Sequence, residues 1–320
     1  FLFLAIGTFF ILKVDPKVAI ILFLVVYVIK TFSSGLAALP WQELIATVIP
    51  VSHRGRYWGF ALTSGKLMGM IGAIIAGFML ANIAYPLNYA YMFLVGFICA
   101  SISYLFLSMN KEPEINRQPS TKNGNIWGRI KEVLGEDKNF RIYLINRAFV
   151  FSSFMGMAFI TVYGLEKFNL PISYSAIFTG VMLASEVVGY GIWGVIGDKD
   201  GYKRVIEYSN LFLIVGLFAL LFVESVWGLY IVFGIISFAH SGELIADQNI
   251  AMEFSSETDR PTYIGMSKTL TGPFLLIAPV LGGVLVQLWG YPTMFMTALI
   301  ISMVAFVVIK FFVVEPRLAK

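Results

Sequence analysis

The sequence predicts an all-α membrane protein, a bundle of transmembrane helices built as two pseudo-symmetric halves. Three observations carry this. Of 320 residues, 58% are hydrophobic and 13% charged, with a mean hydropathy of +0.80, far too apolar for a soluble domain of ordinary usage. The apolar residues fall in long runs of the roughly 20 residues a helix needs to cross hydrocarbon, not in the alternating segments of a transmembrane barrel. Finally, the chain carries one stretch twice: residues 42–77 and 248–283 superpose at an offset of 206, matching Gln42 with Gln248, Arg54 with Arg260, Tyr57 with Tyr263, Gly59 with Gly265, Thr63 with Thr269, Ile71 with Ile277 and Gly77 with Gly283. Each copy is an apolar run, a short polar turn with one aligned arginine, and a second apolar run, which is a helical hairpin drawn twice.

Taken in order, the first run is residues 1–12, short for a span and closed by Lys13-Val-Asp-Pro-Lys17. Further spans are predicted over 18–48, 57–83 and 87–109. Composition then turns polar, with Pro, Gly and Asn, so residues 110–141 form a linker between a bundle over 1–109 and one over 142–320. Within the linker Ile126, Trp127, Ile130, Val133 and Leu134 recur at helical spacing beside Arg129, Lys131 and Glu132. They predict a short amphipathic helix that lies on the membrane surface or packs on neighbouring loops. Six spans follow, over 142–165, 172–196, 208–223, 227–250, 263–288 and 292–314. Four spans thus precede the linker and six follow it. The offset sets Phe1 against Glu207, at the entrance of the third span of the second half, so two upstream spans of a twelve-span design are expected to be missing.

Charge sets the expected orientation. The turns and tails on the linker side hold fifteen basic residues: Arg54, Arg56, the seven from Lys111 to Arg141, Lys199, Lys203, Arg204, Arg260, Arg317 and Lys320. The opposite side holds Lys13, Lys17 and Lys167. This asymmetry places linker and C-terminus in the cytoplasm of a multi-pass cell (inner or plasma) membrane protein. The net charge of +4 is dispersed over loops, which excludes a nucleic-acid face. Cys99 is the sole cysteine, so no intrachain disulfide forms.

The turn after the span 172–196 reads Gly194-Val-Ile-Gly-Asp198-Lys199-Asp-Gly201-Tyr-Lys203-Arg204. It resembles the G-x-x-x-D-[RK]-x-G-[RK]-[RK] signature of the major facilitator superfamily, with Tyr202 shifting the basic pair by one. Glycines there let two helices approach and turn sharply, and the aspartate accepts from helix-end amides and basic side chains. With the central linker, the parallel repeat and the Arg54-Gly-Arg56-Tyr-Trp-Gly turn, the chain is identified as a member of that superfamily. The resemblance implies two six-helix bundles with a solute site between them at mid-membrane, reached alternately from each side. It further implies that the first and fourth helices of each bundle line the cavity, here 18–48, 142–165 and 227–250. Drug/proton antiporters of the superfamily resemble one another in a Gly-Pro motif on the fifth helix; here Gly272-Pro273 falls in the eleventh instead.

Ionisable residues inside spans are costly and mark function. His240, Glu243 and Asp247 lie within about 60° of one helix face, with His240 about 20 Å into its span. Glu243 and His240 are proton-coupling candidates, with a charge-paired gate as the alternative reading and Asp247 more gate-like. At the offset, Ser34, Ala37 and Trp41 stand where His240, Glu243 and Asp247 stand, so the first half offers a neutral, aromatic face for substrate. Lys30, about 18 Å into its span, is a partner for an anionic substrate or for Glu243. Glu186 is similarly deep; Arg147 and Lys66 lie nearer the cytoplasmic ends as gate or snorkelling residues. Asn146, Gln42 and Gln248 serve a solute or join helices. Gly65, Gly69 and Gly72, and Pro279 with Gly282 and Gly283, permit close helix contact and bending.

No Gly-Lys-Ser/Thr phosphate loop is present, which counts against an ATP-driven pump. His53 and His240 lack a cysteine or HExxH context, which counts against a metal site. The function expected is therefore no enzyme and no bound cofactor, but a monomeric secondary transporter of a small organic solute. A proton gradient would drive it, with export of an amphipathic compound favoured by the aromatic content of 16%. Uptake of a sugar or organic anion, lipid translocation and transport-inactive sensing are the alternatives.

Overall fold

The computed structural model describes residues 16–109, 126–171, 174–256 and 259–317. The expected span 1–12, most of the linker and Lys320 lie outside the described residues. Among the described residues every regular element is a helix: α1 (Pro16–Val48), a short 3-10 turn (Val51–His53), α2 (Arg54–Asn82), α3 (Leu87–Ser108), α4 (Ile126–Glu136), α5 (Lys138–Ser153), α6 (Met155–Lys167), α7 (Tyr174–Asp200), α8 (Tyr202–Leu221), α9 (Val226–Phe254) and α10 (Arg260–Phe312).

Eight helical stretches are long and apolar enough to cross a membrane, and the longest of them is two spans. At 53 residues α10 would reach about 80 Å, well over twice the hydrocarbon thickness. It breaks instead at Gly290, which takes φ 80° just before Pro292. The two ends of α10 then meet the start of α5. The Tyr263 hydroxyl donates to Asp137 Oδ2 at 3.1 Å, while Asn139 brackets the Val314 backbone, accepting from its N–H at 2.8 Å and donating to its C=O at 2.9 Å. The described residues therefore hold nine spans, each overlapping an expected one.

Other bounds move for local reasons. The expected single span 142–165 is α5 and α6 joined at Phe154. There Ser152 and Ser153 turn their hydroxyls back onto the carbonyls of Ala148 and Val150, at 2.8 and 2.7 Å, a bond that bends helices. Asp137 caps α5, accepting from Phe140 N at 2.8 Å, and Ser225 caps α9, accepting from Gly228 N at 3.1 Å. The expected span 208–223 begins earlier, at Tyr202, because α7 and α8 are separated only by Gly201 at φ 91°.

The chain divides into two compact units, Phe1–Val48 with Ser64–Ile115, and Ile49–Thr63 with Asn116–Lys320. In the first, α1 and α3 present Ile20, Phe32, Leu105 and Phe106 outwards, as surfaces that meet acyl chains do. Hydroxyls there are satisfied inside their own helix, Thr31 on Tyr27 O and Ser34 on Lys30 O, both at 2.9 Å. The second unit has an apolar core of Ile160, Phe178, Leu217, Phe233, Phe295 and Leu299. Its centre is α9, the most buried of the spans. The linker helix α4 belongs to this unit. Val133 is buried and Arg129 pairs with Glu132 at 2.8 Å and with Asp259, so the helix packs on neighbouring segments; the side chains of Ile126 and Trp127 lie outside the described residues.

Candidate functional site

The central helix α9 carries three polar rungs, whose partners come from α5, α7, α8 and α10, with Arg147 of α5 shared by two of them. At the first, His240 Nδ1 lies 2.9 Å from Glu186 Oε1 on α7, and the ring sits edge-on to Phe154, centroids 5.2 Å apart. Glu186 is buried, whereas the His240 side chain is 28% exposed. At the second, Glu243 ion-pairs through Oε2 with Arg147 of α5 and accepts from Ser209 of α8 through Oε1 at 2.7 Å. At the third, Asp247 accepts from Arg147 Nη2 at 3.1 Å and pairs with Lys268 of α10. Lys268 is the open end of the chain of charges, its side chain 38% exposed.

Two cations and two carboxylates thus share one buried network with no net charge. Isolating any of them from water costs several kcal/mol, so the four hold together only as a set. Arg147 lies 4.4 Å over the Phe151 ring, and Tyr143, one turn earlier on α5, is fully buried. Of the two readings of Arg147, gate or snorkelling residue, the snorkelling one is corrected: the side chain is fully buried, because its two opposing carboxylates are on the neighbouring helix. Asn146 turns away and donates to Ala305 O of α10 at 2.7 Å, a helix-joining bond.

The signature turn forms a second cluster. Asp198 accepts from the backbone N–H of Gly55 at 2.7 Å and of Arg56 at 3.0 Å, the free amides of the first turn of α2. Gly55 and Gly194 interlock there: a Cβ on Gly55 would stand 2.8 Å from Asp198 Oδ1, and one on Gly194 would stand 3.0 Å from the Gly55 carbonyl carbon. The segment after α10 backs this turn. Arg317 donates to Asp198 O at 3.0 Å and to Glu253 at 2.6 Å. Glu315 lies against Gly201 and is half-buried, which raises its carboxyl above the usual range against the pull of Arg317 and Lys203.

The other basic residues of the turn do less. Lys203 pairs with Glu207 at 3.1 Å and Arg204 with Asp200 at 3.4 Å, while Lys199 is exposed. Arg54 and Arg260 are both buried and both open a helix, α2 and α10, the equivalent places the repeat assigns them. Arg54 donates to Ile49 O at 3.0 Å.

In the first unit, Ser34 and Trp41 come together with Ala37, Leu44, Tyr104 and Ser108 around a cavity of about 780 Å³. Lys30 lies two turns of α1 away from Ala37. Sequence reasoning missed Ser209 and Lys268, each of which looks alone like an ordinary polar residue of an apolar run.

The family model described as Major Facilitator Superfamily matches residues 1–189 and 148–320, together the whole chain. Comparison with curated proteins finds no match. Solved structures similar in fold include the human organic anion transporter MFSD10 (TETRAN), 14% identical, with 97% of this chain and 75% of that one covered at a TM-score of 0.75. The fucose:proton symporter FucP of E. coli is 14% identical, covering 97% and 81% at 0.74. A bacterial homologue of the iron transporter ferroportin, outward-facing, is 15% identical, covering 96% and 79% at 0.71.

Proposed function

The chain belongs to the major facilitator superfamily, and from that premise we propose that it is a proton-coupled secondary transporter that moves a small organic solute by alternating access. The observation that carries the coupling is Arg147 held between Glu243 and Asp247 in a buried, neutral network. A proton arriving on Glu243 removes one of the two charges that hold Arg147. The guanidinium is then left to Asp247, whose other partner is Lys268. Protonation thereby leaves α5 tied to α9 through Asp247 alone, a weakening of one interface of the kind an alternating carrier requires. The pair of His240, one turn along α9 and 28% exposed, with Glu186 of α7 is the entry for the proton.

The signature turn acts as the gate. Asp198 holds the first turn of α2 through two amides and releases it when the carrier changes state. The basic asymmetry supports a cytoplasmic linker and C-terminus in the cell membrane. The apolar lining of the cavity beside Ser34 and Trp41 supports an amphipathic solute and export. The protein works as a monomer and takes its energy from the proton gradient.

The test is flux in proteoliposomes with a panel of radiolabelled organic anions, sugars and amphipathic cations under an imposed pH gradient. Gradient-driven flux of one of them is expected, lost in Glu243→Gln while counterflow exchange persists. Gradient-driven accumulation unchanged in that variant would remove Glu243 from coupling, and binding without flux would make the protein a sensor.

A further inference from the structure

We propose that Glu186 is a positioning residue for the proton entry: it holds the neutral His240 imidazole in the Nδ1–H tautomer, so that Nε2 alone takes a proton from solvent and gives it up. This rests on His240 being that entry.

The imidazole of His240 on α9 turns one end to the carboxylate of Glu186 on α7, with Nδ1 lying 2.9 Å from Oε1. That end is closed, since the Glu186 side chain is 2% exposed, whereas the histidine side chain is 28% exposed. With Nδ1 at the closed end, the open part of the ring is its far edge, where Nε2 sits. Phe154, at the break between α5 and α6, meets the ring edge-on at 5.2 Å between centroids. It packs the imidazole in place and offers it no hydrogen bond. Of the titratable side chains nearby, Tyr190, one turn along α7, faces the carboxylate of Glu186. Glu243, one turn along α9 from His240, is turned instead to Arg147 of α5 and Ser209 of α8.

The hydrogen bond made by one ring nitrogen decides which of the two carries the hydrogen of a neutral imidazole. An ionised carboxylate only accepts, so Glu186 takes its hydrogen bond from Nδ1–H and leaves the lone pair on Nε2. The carboxylate is the ionised partner because a carboxyl is ordinarily a stronger acid than an imidazolium, and water on the open side of His240 solvates the charged ring. Loading is then the transfer of one proton from water to Nε2, which gives an imidazolium paired with Glu186. Unloading removes it from the same atom, and Nδ1–H is kept throughout. The competing arrangement is a protonated Glu186 donating to a bare Nδ1. That would place the ring hydrogen on Nε2 and leave no acceptor on the solvent side.

The experiment uses the fact that the chain has two histidines, of which His53 is exposed beside Ser52 on a short turn. In His53→Gln, with nitrogen-15 in the remaining imidazole, magnetic resonance of the full chain in lipid nanodiscs reads His240 alone, and protonated and bare ring nitrogens are well separated in shift. The neutral ring is expected to show Nδ1 protonated and Nε2 bare. Adding Glu186→Leu, which cannot accept, is expected to move the hydrogen to Nε2, the form free histidine favours. Glu186→Met, unbranched and closer in length, is expected to do the same and serves where leucine disturbs folding. A neutral ring already protonated at Nε2 with Glu186 present overturns the proposal, and so does an Nδ1–H tautomer that persists in either folded variant. A ring that keeps one protonation state between about pH 5 and about pH 8 removes His240 as the entry, and the proposal falls with that reading rather than on the tautomer.

Discussion

Asp198 places one carboxylate oxygen 2.7 Å from Gly55 N and the other 3.0 Å from Arg56 N, so a single side chain closes two of the amides that open α2. Hydrogen bonds to a charged acceptor contribute about 1.5–3 kcal/mol, and the helix dipole adds to them. Asp198→Asn keeps the shape and loses the charge. Its expected effect is amide hydrogen exchange at residues 55–57 faster by about tenfold or more, read by mass spectrometry, with α9 peptides unchanged. Equal exchange in variant and wild type would show that the turn does not hold α2.

The Arg147–Glu243 pair predicts an asymmetry between single and double substitution. Arg147→Met leaves two buried carboxylates facing each other and is expected to cost about 3–5 kcal/mol. Arg147→Met with Glu243→Leu removes both charges and leaves Asp247 with Lys268, so its melting temperature in detergent is expected to lie above that of Arg147→Met. A double variant less stable than the single one would mean the pair is held for something other than charge balance.

How much of this was legible in the sequence depends on whether a feature is local. The face shared by His240, Glu243 and Asp247 follows from helical period alone, and all three are partnered on it. Gly290-Tyr-Pro292 between two apolar runs marked the reversal inside α10. The break at Phe154 was hidden, since it comes from serine hydroxyls bonding backwards rather than from proline or glycine. Ser209 and Lys268 acquire meaning only from tertiary neighbours. Nothing in one dimension tells that α8 and α10 both reach α9, or that Gly242 is the gap through which Ser209 does so.

Glu315 gives a pH dependence outside the spans. Burial raises its carboxyl above the usual range, more than Arg317 and the amides of Lys203 and Arg317 lower it. A carboxyl whose proton is held more tightly in the folded state adds stability that is complete below the unfolded value. That stability is lost as pH climbs through the raised one. Exchange protection of residues 313–317 is therefore expected to fall as pH rises above the ordinary carboxylate range, and Glu315→Gln, which cannot ionise, is expected to flatten that fall. A protection profile that rises with pH in the wild type would reverse the sign and place the carboxylate in a favourable ion pair instead.

Gly242 tests whether the spacing of α8 from α9 matters for the network itself. An alanine there would put its Cβ 2.7 Å from Ser209 Cβ and 3.1 Å from the Trp193 ring, and neither can yield freely: Trp193 donates to Phe238 O at 2.9 Å and Ser209 sits between Ile206 O and Glu243. Overpacking of this kind costs about 1–3 kcal/mol, so Gly242→Ala is expected to melt earlier in detergent. Adding Ser209→Gly removes the colliding Cβ and is expected to recover stability. A double variant that melts no later than Gly242→Ala would show that the clash with Ser209 is not what the glycine avoids.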